Sequence, residues 1–100
     1  MVKHIILWKL KDEYTLEEKA NIMSEIKEGL ENLAGVIPGL INIKVQTTSL
    51  PSSNADLMLD STFENEEALI GYAIHPAHVE VADTKVRPFT ASRSCLDFEI

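Results

Sequence analysis

Apolar and polar residues alternate with period two from Val2 to about Lys11, so Val2, His4, Ile6, Trp8 and Leu10 share one face of a strand. Ile5 and Leu7 fall on the other face, followed by Lys9 and Lys11. Both faces are therefore apolar at mid-strand, and a single covering layer of helices accounts for only one of the two rows. The period then changes. Leu16, Ala20, Met23, Ile26, Leu30, Leu33 and Ala34 recur at spacings of three and four, the stripe of an amphipathic helix. Thr15 and Glu18 make a T-x-x-E capping box at its start, and Gly35 with Ile37-Pro38-Gly39 closes it.

Alternation returns from Leu40 to about Thr48, with Ile41, Ile43 and Val45 on one face of a second strand. Ser49–Ala55 is a polar loop rich in turn residues. A third strand covers about Asp56 to Phe63, with Leu57, Leu59 and Phe63 on one face and Asp56, Met58 and Asp60 on the other. Asn65 is placed to cap a short helix through Ala68, Leu69 and Tyr72. His75 precedes Pro76 as an N-cap precedes a proline at the first helical position. That second short helix runs to about Lys85, Arg87-Pro88 breaks it, and a last strand carries Leu96, Phe98 and Ile100 on one face.

Strand, helix, strand, strand, short helices, strand is the ferredoxin-like order. It predicts one α+β domain over residues 1–100, a four-stranded antiparallel sheet with helices on one face. Ile5, Leu7 and Met58 would then lie on an uncovered face. An apolar patch of that kind marks an interface, so the expected partner is a second copy of this chain, the two sheets closing into a dimeric α/β barrel.

Composition removes several alternatives. The net charge of −7 disfavours nucleic acid and an anionic membrane surface as partners. No apolar run reaches the ~18 residues of a membrane span. Cys95 is the single cysteine, so no internal disulfide forms, and a cytoplasmic location is expected.

Candidate chemistry concentrates in Gly71–Val81, "GYAIHPAHVEV", which holds two of the three histidines and a tyrosine. The break at Pro76 lets Tyr72 and His78 converge from separate helices. A histidine near neutral pKa suits proton abstraction beside a carbonyl, and a tyrosine hydroxyl can donate to the enolate oxygen. Such a reaction needs no cofactor. Plainer roles compete: a helix cap for His75, a structural hydrogen bond for His78, a core aromatic for Tyr72, a buried hydrogen-bonded histidine for His4. A metal site from His75 and His78 with Glu80 or Asp83 lacks the spacing of known zinc motifs, so none is expected.

With "KHIILWKLKDE", "IPGL", "TFENEEALIGYAIHPAHVEVA" and "LDFEI" in this order, the whole chain resembles the stress-responsive dimeric A/B barrel (Dabb) family. The resemblance implies a homodimer. It further implies a cavity between sheet and helices that binds a small apolar carbonyl compound. In the family's plant polyketide cyclases, which act by aldol condensation, a tyrosine and a histidine of this segment serve catalysis; they correspond to Tyr72 and His78. His4, Ile6, Trp8, Met23, Ile26, Leu57, Leu59 and His75 correspond to substrate-side positions. Leu57 stands where those cyclases carry a histidine, and Trp8 is bulkier than the aliphatic residue expected there. The resemblance thus implies a cofactor-independent cyclase or lyase using His/Tyr proton transfer. A non-catalytic homodimeric stress or assembly protein and a cofactor-free monooxygenase-like barrel are the alternatives.

Overall fold

A computed structural model describes residues 1–100. Strand β1 (Val2–Leu10) leads into helix α1 (Leu16–Glu31), then β2 (Leu40–Gln46), β3 (Leu57–Phe63), α2 (Glu66–Ile74), α3 (Pro76–Val81) and β4 (Thr90–Glu99). The sheet order is β2-β3-β1-β4, every pair antiparallel, with the helices on one face. This is the α+β architecture that the order of elements predicts.

The row Val2, His4, Ile6, Trp8 and Leu10 is buried beneath the helices, as the alternation requires. The capping box forms as written. The Glu18 amide donates to Thr15 Oγ1 at 3.1 Å, and the Thr15 amide donates to Glu18 Oε1 at 2.8 Å. Two orphan donors of the first turn are thereby satisfied. The stripe of α1 differs from the expected one. Leu16, Ala20 and Ala34 are exposed, and Ile22, Ile26, Leu30, Leu33 and Ile37 carry the burial. Leu16 is 87% exposed, so the first turn of the helix adds nothing to the core. The helix also ends at Glu31, earlier than the stripe extends, and Ile37 continues the contact from the turn beyond.

Two further expectations shift. In β2 the pairing shifts between Leu40 and Asn42, which turns Ile41 outward, while Ile43 and Val45 face the core. A bulge of this kind breaks the strict alternation on which the expectation rested. The helix after Pro76 stops at Val81, followed by a π-helical turn over Ala82–Val86 and a 3-10 turn over Arg87–Phe89. Pro88 cannot donate to a continuing helix. Gly39 is required twice: its φ is +79°, and an added Cβ would lie 2.5 Å from the Ala68 Cβ.

On the open face, the antiparallel register sets Ile5 opposite Leu96 and Leu7 opposite Met58. Leu7, Leu96 and Phe98 are exposed there, with the Lys3–Asp60 ion pair, 2.8 Å, among them. No helix of the chain is long and apolar enough to cross a membrane.

Candidate active site

The α2–α3 corner is built from two caps. Asn65 accepts from the Ala68 amide at 2.9 Å and starts α2. His75 Nδ1 accepts from the Ala77 amide at 3.1 Å and starts α3 with Pro76 at its first position. His75 therefore serves the turn and lines neither of the two cavities beside it. One residue before the cap, α2 has ended; three after it, His78 emerges from α3. The corner folds His78 back onto Tyr72, with ring centroids 4.0 Å apart and planes tilted by 35°. His4 from β1 meets the Tyr72 ring edge-on at 5.9 Å.

Two cavities, about 590 and 360 Å³, share four lining residues: His4, Tyr72, His78 and Arg93. The larger opens between α2 and the outer part of β4. The smaller runs inward past Ile6, Trp8 and Leu59. Trp8 thus forms a wall of the smaller cavity without closing it. Met23, Ile26 and Leu57 line neither cavity: α1 packs chiefly on β2, and Leu30 is its one side chain that reaches the smaller cavity. Ile26 and Leu57 are core residues, and Met23 packs against that core half-buried.

The chemistry of the shared wall is specific. Tyr72 is 2% exposed, and its hydroxyl has no hydrogen-bond partner. Burial pushes that phenol well above its ordinary value, against the opposing pull of Arg93, so it stays a neutral donor. A buried donor without a partner is costly, and here it borders a space that can hold an acceptor. His78 Nδ1–H donates to the Ala73 carbonyl at 3.3 Å, which leaves the lone pair on Nε2. Burial lowers the His78 pKa, and the Arg87, His4 and Arg93 charges add to this. The bond to Ala73 acts in the opposite direction. At neutral pH the ring is an unprotonated base.

His4 Nδ1–H donates to the Asp97 carboxylate across the β1–β4 pair, fixing its ring. Cys95 lies 3.6 Å from that carboxylate, and burial, then Asp97, holds its thiol above the ordinary range. His4, Cys95 and Asp97 offer donor atoms within 4.8 Å of one another, a set a borderline metal ion accepts by type. Arg93, which lines the same cavity as Cys95, sets a fixed positive charge against a dication there. His75, His78, Glu80 and Asp83 do not converge as a donor group.

Read from the sequence, Arg93 and Asp97 carry no role and Cys95 counts only as the single cysteine. The signal was available: in β4 they alternate with the apolar Leu96, Phe98 and Ile100, and antiparallel pairing with β1 places them on the His4 face.

The model of the Stress Responsive A/B Barrel Domain matches residues 2–100. The chain belongs to the Dabb family. Olivetolic acid cyclase of Cannabis sativa is 34% identical over 85 residues, 82% of this chain and 80% of the cyclase. The stress-response A/B barrel domain-containing protein DABB1 of Arabidopsis thaliana is 36% identical over 84 residues, 81% of this chain, which spans only 39% of that protein. A dimeric ferredoxin-like protein of unknown function from Bacteroides fragilis superposes with a TM-score of 0.92 at 35% identity, over 99% of this chain and 95% of that one. Fold and family are thereby fixed, and dimerisation is a property of that structural relative.

Proposed function

We propose that this Dabb protein binds a small, largely apolar carbonyl compound beneath α2 and α3 and catalyses a cofactor-independent enolate reaction of the aldol type. The observation that carries this reading is the buried, unpartnered Tyr72 hydroxyl stacked against an uncharged His78 at the wall of two cavities. His78 Nε2 removes the proton next to the substrate carbonyl, and the C–H electron pair moves onto the carbonyl oxygen. The Tyr72 O–H donates to that enolate oxygen. The enolate carbon attacks a second carbonyl of the same molecule, and the imidazolium returns its proton to the new alkoxide. His4, held by Asp97, braces the Tyr72 ring edge. A relative named as a cyclase supports a ring-closing outcome.

The test is deuterium exchange in D2O at the carbon next to the carbonyl of 2-octanone and of polyketide-like ketones, followed by NMR. His78→Ala should slow it by about 10²–10⁴-fold, the range for a lost general base. Tyr72→Phe should slow it with the fold retained. Exchange no faster with the protein than with free imidazole would end the reading.

The same proposal makes the protein a homodimer through Ile5, Leu7, Met58, Leu96 and Phe98. A face-to-face interface should bury on the order of 1,500 Å² or more. Leu96→Glu should then halve the mass seen by light scattering at micromolar protein. A parent mass equal to one chain at that concentration would refute the dimer.

A further inference from the structure

Resting on the proposed reading, the geometry points to a substrate that carries a carboxylate, held by Arg93 where the two cavities meet. The charges lining the two cavities are sorted. The outer one carries the carboxylates of Glu66, Asp97 and Glu99 beside a single arginine. The inner one carries Arg87, Arg93 and Thr90 and not one acidic residue. In a chain with 16 acidic residues against 9 Lys and Arg, a lining of this kind is against the average. Arg87 is engaged by Asp83, four residues before it. Arg93 takes part in none of the ion pairs of the chain.

A guanidinium outside every ion pair, at the lip of two cavities, is a ready partner for a planar anion, which it grips through two parallel N–H bonds. Its position fits the chemistry. Trp8 and Arg93 are opposite one another in the β1–β4 pairing, and Arg93 borders both cavities together with Tyr72 and His78. A carboxylate on Arg93 therefore sets the neighbouring carbonyl within the Tyr72–His78 wall. The apolar remainder lies along Ile6, Leu59 and Val86. The acidic outer mouth repels the same carboxylate, so the ligand enters with one orientation. The chemical class is an aliphatic oxo acid.

Isothermal titration at low ionic strength with 2-oxooctanoate and its methyl ester tests this on the full chain. The acid should bind roughly ten- to a hundredfold more tightly than the ester, the value of a charge-assisted bond. Arg93→Gln should abolish the difference, and Arg93→Lys should keep part of it, with thermal melts confirming that both variants fold. Equal affinities, no measurable binding of the acid, or an acid preference that survives Arg93→Gln each overturn the proposal. Exchange of α-hydrogens in D2O separates the two readings. Exchange in 2-octanone with no preference for the acid sinks the carboxylate subsite alone. Arg93-dependent binding of the acid without His78-dependent exchange supports the subsite and removes the proton-transfer chemistry.

Discussion

The two halves of the sheet are covered differently. The sixteen-residue α1 packs chiefly on β2 and joins it in the apolar core. Ile22 and Ile26 share a core with Ile43 and Val45, each 9% exposed or less. Two short helices joined by a corner bring Tyr72 and His78 to the His4 end of β1, and from Ala91 to Glu99 every residue of β4 is exposed. The first half buries apolar rows from both layers. The second presents His4, Arg93, Cys95 and Asp97 to a thin cover, and the polar side chains keep a cavity open. One sheet thus supports a packed core on one side and a site on the other, and the decisive variable is the polarity of the strand rows facing the helices.

The most forceful way to break this comparison is truncation in each half. Ile26 is fully buried. Ile26→Ala should cost about 2–5 kcal/mol of unfolding free energy, since the surroundings cannot collapse onto the lost methyls. Cys95→Ala, at an exposed position of the cavity half, should stay within about 0.5 kcal/mol of the parent. Urea denaturation of both variants measures this. Equal losses would mean that the cavity half is as tightly packed as the core.

The same contrast explains what the sequence discloses. The core half is written in period: alternating strands and a capped helix give the order of elements, the single-faced helical layer and the open apolar face. Where the period fails, local geometry intervened. The bulge at Leu40–Asn42 flips Ile41, and Leu16, in the first turn of α1, is exposed. The site half is legible only in part. Tyr72, His75 and His78 stand out because they cluster in the chain and because the resemblance to the family rests partly on their segment. Arg93 and Asp97 lie fifteen or more residues downstream, and only the β1–β4 register brings them to His4. Met23, Ile26 and Leu57 were expected at the substrate by correspondence with relatives; here they stand under or within α1, away from the cavities. Period reveals which face a residue occupies but not which helix covers it.

Caps sharpen the comparison at smaller cost. Thr15→Ala removes the reciprocal box of α1 and should destabilise by about 1 kcal/mol. His75→Ala removes the acceptor that starts α3 and should cost ~0.5–2 kcal/mol. His75→Asn, whose side chain retains an acceptor, should recover much of the loss. Thermal midpoints decide. A His75→Ala variant with an unchanged midpoint and lost α-hydrogen exchange would move His75 from the turn into the chemistry.

The smallest effect is a slope in pH. Burial lowers the His78 pKa below its ordinary 6.5 in the folded chain. As pH falls past 6.5, the unfolded chain binds a proton at this position before the folded chain does. The unfolded state then holds more protons, so stability is complete above pH 6.5 and declines as pH drops through the depressed folded value. Glu31 loses its own contribution only in a lower window. Burial raises its pKa, but Lys27 and the Val45 amide together lower it further, below the ordinary 4.5. The two windows are therefore separable. Urea midpoints measured between pH 7.5 and 5 should fall less steeply for His78→Gln than for the parent, and the two curves should meet above pH 6.5 apart from a constant offset. Parallel curves throughout would show that His78 is as well hydrated in the fold as in the unfolded chain. The neutral base at the Tyr72 wall would then lose the desolvated setting that keeps it unprotonated.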